Sequence, residues 1–120
     1  MLSVVSANNY IFYLGYVDMR KGFDSLSGIV TAQMNFNPLS TDLYIFINRR
    51  RTQLKLLQWE GDGFVLYYKR LEKGTFEVPA CEANRVHVTI SSTQLQMIFQ
   101  GVCMKRIYNY KRYQHGADNC

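Results

Sequence analysis

Hydrophobic and polar positions follow two different rhythms along this chain. Between Leu43 and Phe76, strand-like runs are separated by turn signals: Leu43 to Asn48, Gln53 to Glu60 and Phe64 to Leu71. Arg49 to Thr52 makes the first turn. Gly61-Asp62-Gly63 makes the second, with the glycines that short hairpin loops require. Upstream, the aromatic run Tyr10 to Leu14 predicts a strand that Gly15 ends. The rhythm then changes. Phe23, Leu26, Val30 and Met34 recur at helical spacing, which predicts a helix from Met19 to Met34 capped by Asp18 and ended by Asn37-Pro38. Gly22 and Gly28 each cost this helix roughly 1 kcal/mol relative to Ala, and are read as marks of close packing on the sheet. Thr75 to Val78 predicts a further short strand and Pro79 to Asn84 a loop. Val86, Val88 and Ile90 alternate with His87 and Thr89, a half-buried strand with His87 pointing outward. Ser91 or Ser92 then caps a short helix, Thr93 to Gln100, which turns Leu95, Ile98 and Phe99 inward and ends at Gly101.

These elements predict an α+β fold: a mostly antiparallel β-meander sheet of four to six strands, with one longer and one short helix packed on it. Residues 1–104 form one domain on this reading. Residues 105–120 are a basic, Tyr-rich C-terminal tail, with Lys105, Arg106, Lys111 and Arg112 interleaved among tyrosines. Internal repeats and a linker long enough to divide domains are both missing from the sequence.

Charge sharpens the picture. The 120 residues carry a net charge of +5, and the excess is local. Arg49, Arg50, Arg51, Lys55, Lys69, Arg70 and Lys73 stand against Glu60, Asp62 and Glu72 within one stretch. A three-residue loop at Gly61–Gly63 sets Glu60 opposite Phe64, and hence Lys55 opposite Lys69, Leu57 opposite Tyr67 and Trp59 opposite Val65. If Asn48 faces Gln53, Phe46 falls opposite Lys55 and Tyr44 opposite Leu57. One face then carries Tyr44, Phe46, Lys55, Leu57, Trp59, Tyr67 and Lys69. Facing lysines repel by up to about 1 kcal/mol, which a bound phosphate or a nearby carboxylate removes. Aromatic rings beside cations suit nucleic acid, because bases stack on rings while cations meet phosphates. The plain alternative is that both lysines extend into water over the aromatics. Arg49-Arg50-Arg51 at a turn offers guanidinium forks to phosphate, or else forms a solvated basic turn.

Composition adds exclusions. Hydrophobic residues make up 48% of the chain, enough to fold. Cys81, Cys103 and Cys120 are odd in number and widely spaced, which argues against a disulfide framework or zinc ribbon. With no basic leader, no apolar run of membrane-spanning length and no metal or cofactor motif, a cytoplasmic protein without cofactor is expected. His87 and His115 lie far apart. Nucleophile-elbow and phosphate-loop signatures are missing, and Asp18 and Asp62 are better read as cap and turn residues than as nuclease ligands. A non-catalytic protein is the expectation.

Two blocks point to a family. Asp18-Met-Arg-Lys-Gly-Phe-Asp-Ser-Leu is one. The other comprises Arg49-Arg50, Leu54-Lys55-Leu56-Leu57, Trp59, Gly63-Phe64 and Tyr68-Lys69-Arg70-Leu71-Glu72. Together they resemble TnpB, the small accessory protein of transposons of insertion-sequence family sixty-six, over roughly residues 10–100. The resemblance implies an accessory role in transposition beside a larger transposase of the same element. Within the matched blocks it implies Arg20, Lys21, Arg49, Arg50, Lys55, Lys69 and Arg70 as candidate DNA contacts. Arg51 joins them on charge alone. The alternative is a protein adaptor that binds the transposase, or another protein of the element, without touching DNA. Tyr44, Phe46, Trp59 and Tyr67 would then be its exposed contact core.

Overall fold

The computed structural model of the chain describes residues 6–100. Strand β1 (Tyr10–Tyr16) is followed by helix α1 (Phe23–Ala32) and then by strands β2 (Leu43–Ile47), β3 (Gln53–Trp59) and β4 (Phe64–Arg70). Strand β5 (His87–Ile90) and helix α2 (Ser92–Phe99) complete the described order. The five strands form one sheet in the order β4-β3-β2-β1-β5.

The sheet is mostly antiparallel as expected, but it is mixed, which corrects the expected meander. β2, β3 and β4 do form a meander, but β1 lies parallel to β2, with α1 in the connection between them. Parallel neighbours need a long crossover, and α1 supplies it. β5 closes the other side by pairing antiparallel with β1. Residues 75–78 do not form the expected strand. There Phe76 is buried, and its N–H donates to the Arg51 carbonyl at 2.7 Å.

The two helices cover opposite faces. Leu26 and Val30 of α1 pack with Ile11, Tyr44, Phe46 and Leu57. Leu95 and Ile98 of α2 pack with Phe12, Leu43, Ile45, Ile47, Leu54, Leu56 and Phe76. Every residue of β2 is therefore buried, which explains its unbroken Leu-Tyr-Ile-Phe-Ile run. Each such side chain contributes about 1.5–3 kcal/mol by leaving water. Tyr44 and Phe46, expected as exposed contacts, are core residues at 0% exposure.

Local chemistry fixes the helix ends. α1 starts four residues later than the sequence suggests. Asp18 does not cap it: its Oδ1 accepts the Arg20 N–H at 2.9 Å and its carbonyl accepts the Lys21 N–H at 3.1 Å. That makes a tight turn, with Gly22 extended at the helix N-cap. Asn35, left-handed at φ 60°, ends α1, letting the Phe36 N–H donate to the Val30 carbonyl at 3.0 Å. Gly22 and Gly28 do not mark close packing, since a Cβ on either meets nothing within 4 Å. At α2, Ser91 forms the expected cap: its Oγ accepts the Gln94 N–H at 3.0 Å, and Gln94 Oε1 accepts the Ser91 N–H at 2.8 Å. His87 does not point outward. It is half-buried with its ring 4.9 Å from Phe36, and its buried Nδ1 has no hydrogen-bond partner among the described residues. Gly101 and the basic tail lie outside the described residues.

Candidate nucleic-acid interface

The β3–β4 register decides where the charges go. Trp59 pairs with Phe64, Lys55 with Tyr68 and Lys69 with Leu54. The expected register is off by one residue. Glu60 leaves the strand and joins the loop, its N–H donating to the Gly63 carbonyl at 2.8 Å while Gly61 takes φ 92°. A one-residue slip sends every β4 side chain to the other face. Lys55 and Lys69 therefore do not face each other and lie on opposite sides of the sheet, so the shared cationic face expected of the hairpin does not exist. The β2–β3 register is as expected, with Phe46 opposite Lys55 and Tyr44 opposite Leu57.

Both lysines are consumed internally. Lys55 is buried, and its Nζ donates to the Met19 carbonyl at 2.7 Å and the Lys21 carbonyl at 2.8 Å. The same nitrogen lies 4.7 Å from the Tyr68 ring centre. Two carbonyls and a π face satisfy an ammonium that burial would otherwise destabilise. Lys69 Nζ donates to the Phe99 carbonyl at 2.7 Å, at the end of α2, and lies 5.0 Å from the Phe99 ring centre. A cation at a helix C-terminus also meets the negative end of the helix dipole. Arg70 pairs with Glu72 at 3.0 Å in full view of solvent.

A different set of cations converges. The parallel pair brings the carboxyl ends of β1 and β2 side by side, the place where open sheets with parallel strands collect ligands. A cleft of about 610 Å³ lies there, lined by Tyr16, Val17, Asp18, Met19, Arg20, Asn48, Arg49, Arg50, Gln53 and Tyr68. It holds three guanidinium groups against one carboxylate. Arg20 and Asp18 form an ion pair at 2.6 Å, with Arg20 91% exposed. The Arg20 side chain and its N–H hold the Asp18 carboxyl well below the usual carboxylate range, and Asp18 in turn raises Arg20. The Arg49 guanidinium stacks on Tyr16 at 5.2 Å from the ring centre. Arg50 and Arg51 are exposed and have no carboxylate partner among the described residues.

The loop that carries the arginines is braced from several sides. Asn48 Oδ1 accepts the N–H groups of Thr52 at 2.9 Å and Gln53 at 3.0 Å, and Asn48 Nδ2 donates to Thr52 Oγ1 at 3.2 Å. The Arg51 N–H donates to the Asn48 carbonyl at 3.0 Å, with Arg51 itself left-handed at φ 59°. The Leu71 N–H reaches the Thr52 carbonyl at 2.8 Å. Below the cleft, β1 shifts register between Phe12 and Tyr16, which re-aims its last residues. Gly15 lies within that stretch, and a Cβ there would come within 2.7 Å of the Tyr13 ring. Lys55 supports the wall, since Met19 and Tyr68, which it holds, both line the cleft.

The candidate DNA contacts thus divide. Arg20, Arg49 and Arg50 meet in the cleft; Lys21 and Arg51 are exposed outside its lining; Arg70 is paired; Lys55 and Lys69 face inward. Tyr16, Asn48 and Tyr68 belong to the cleft and were missed in the sequence. No local signal marked the two tyrosines, which reach the cleft through the β1 irregularity and the β3–β4 register. Of the candidate partner contacts, Trp59 and Tyr67 are half-buried and line a second cleft of about 640 Å³ with Ser6, Leu39, Thr41, Gln58, Glu60 and Gly61. Trp59 also packs edge-on against Phe64 at 5.1 Å. Among the described residues, no group of three His, Cys, Asp or Glu could hold a metal ion, and no helix is long and apolar enough to cross a membrane.

Comparison with known proteins adds context to this geometry. Residues 8–109 match the sequence profile of the family described as "IS66 Orf2 like protein". Two relatives come from Sinorhizobium fredii (strain NBRC 101917 / NGR234). The uncharacterized protein y4hO is 36% identical over 88 residues, 73% of this chain and 75% of its own. The uncharacterized protein y4jC is 28% identical over 91 residues, 76% of each chain. No solved structure matches.

Proposed function

The chain belongs to the family of IS66 Orf2-like proteins, and from that membership and the cleft we propose that it is a non-catalytic DNA-binding accessory protein of insertion-sequence transposition. The observation that carries the reading is the convergence of Arg20, Arg49 and Arg50 on one open cleft, with Arg49 and Arg50 free of carboxylate partners among the described residues. Guanidinium forks bind phosphate oxygens at two points, and a braced loop presents them without the entropy of ordering a mobile one. Tyr16 and Tyr68, about half exposed, flank the cations where sugar or base can pack. The DNA is that of the element's ends, and the partner in the reaction is the element's transposase.

The test is salt-dependent anisotropy with DNA of the element's ends. Binding should fall steeply with salt. Replacing Arg49 and Arg50 by Ala should make the log–log slope shallower by about two, at unchanged fold. Absence of binding at low salt, or an unchanged slope in the double variant, overturns the reading.

A protein-adaptor reading has its own observation in the second cleft, where Trp59 and Tyr67 remain accessible beside Leu39. Tyr44 and Phe46 no longer belong to it. Co-purification with the transposase that is lost in Trp59→Ala, while DNA binding persists, would select this reading.

A further inference from the structure

The sheet ends in two unlike edges. β5 is four residues long, whereas β4 runs seven residues and pairs with β3 without a bulge. The β4 backbone can be sorted by its hydrogen bonds. The Glu60 N–H to Gly63 carbonyl bond and the Leu71 N–H to Thr52 carbonyl bond mark residues 63 and 71 as turned toward β3. Alternation then turns Val65, Tyr67 and Lys69 the same way. The N–H and carbonyl groups of Phe64, Leu66, Tyr68 and Arg70 point away from the sheet, and no other described strand pairs with them.

Edge strands ordinarily carry guards: a proline, a bulge, or a lysine thrust into solvent. β4 has none of the three. Its lysine, Lys69, reaches back to the Phe99 carbonyl. Three of its four outward-facing residues are apolar or aromatic, and their side chains share the α1 side of the sheet. Phe64 and Leu66 pack at the rim of the core there. Charge is arranged with opposite signs at the two ends, Glu60 and Asp62 before the strand and Arg70 at its close.

From this edge we infer that β4 pairs antiparallel with β4 of a second copy of the chain, joining two five-stranded sheets into one. Only outward-facing residues can exchange hydrogen bonds, so the register advances in steps of two. One register sets Leu66 against its own copy, Phe64 against Tyr68 and Asp62 against Arg70. It forms about six backbone hydrogen bonds and two ion pairs related by the twofold axis. Advancing by two sets Asp62 against Glu72 and is disfavoured by repulsion, whereas retreating by two sets Glu60 against Arg70 and keeps an ion pair, so charge exchange at Asp62 tells the first and last of these registers apart. Arg70 is available for the exchange because its Glu72 pair is solvent-exposed and therefore weak. Self-complementary charge selects a second copy over an unrelated strand. This inference does not depend on the nucleic-acid reading.

Sedimentation equilibrium of the full chain tests it. A monomer–dimer equilibrium is expected. Leu66→Pro should abolish the dimer, because the N–H it removes faces outward; since it also trims packing at the rim of the core, circular dichroism is read first to confirm that the sheet is kept, and the charge reversals leave that packing intact. Asp62→Arg and Arg70→Asp should each weaken association roughly tenfold, and the double exchange should restore it. A monomer up to the highest soluble concentration overturns the inference. So does a dimer indifferent to both charge reversals.

Discussion

Arg49 and Lys55 are close neighbours in the chain, yet their charges meet opposite fates. The strand cation is buried and spends its hydrogens on backbone carbonyls. The loop cation stacks on a half-exposed tyrosine and lines the cleft. Lys69 repeats the first pattern at the far face, on the last turn of α2. A cation on a covered sheet therefore serves structure unless its nitrogen escapes the neighbouring elements. A cation on a braced loop can rest on a ring, as Arg49 does on Tyr16, and keep its hydrogens free of the backbone carbonyls of the described residues. Positive charge in a sequence thus divides by backbone context, and only the loop share is available to a polyanion.

The division is easiest to break at Lys55. Lys55→Met keeps the stem but removes two charged hydrogen bonds and leaves the Met19 and Lys21 carbonyls unsatisfied. Urea melts should show a loss of about 2–4 kcal/mol. The salt slope of DNA binding should not change while the variant is folded. A slope lower by about one at unchanged stability would make Lys55 a phosphate contact and dissolve the distinction. Lys69→Met removes one such bond and a ring contact, so a smaller loss of about 1–2 kcal/mol is expected in the same melts. The α2 amides should lose protection first.

The smallest effect concerns Asp18. The Arg20 side chain, then the Arg20 N–H, hold its carboxyl below its ordinary value of 3.8. The folded state therefore binds fewer protons there than the unfolded state. The contribution is fully present above pH 3.8 and is lost as pH falls through the depressed folded value. A carbon chemical-shift titration of the Asp18 carboxyl should find its midpoint below 3.8, and a midpoint at or above that value would contradict the pair. Asp18→Asn should leave the urea midpoint unchanged near neutral pH, since the pair is exposed. It should also free Arg20 and strengthen DNA binding modestly.

Much of the fold was legible. Setting Asn48 opposite Gln53 gave the correct β2–β3 register because Asn48 closes that turn itself, through its own N–H to the Gln53 carbonyl and its side chain to the Thr52 and Gln53 amides. The pair Ser91-Ser92 announced the start of α2, and the structure selects Ser91, whose box closes three residues on at Gln94. The β3–β4 register was misread because Gly61-Asp62-Gly63 does not say whether Glu60 still belongs to the strand, and that one residue inverted β4. The parallel placement of β1 depends on a crossover between distant segments, which no local pattern encodes, although the strand–helix–strand succession hinted at it. The cleft was half legible for the same reason: Arg20, Arg49 and Arg50 carry visible charge, whereas Tyr16 and Tyr68 acquire their role only from topology.

β2 is enclosed by a helix on each face and by a strand on each side. Its amide hydrogens can therefore reach solvent deuterium only when the whole sheet comes apart, whereas the outward amides of β4 need no such event. The exchange rate of that central strand accordingly reports the global unfolding free energy. It offers a reference against which any variant at the cleft or the sheet edge can be judged for having disturbed more than its own surroundings.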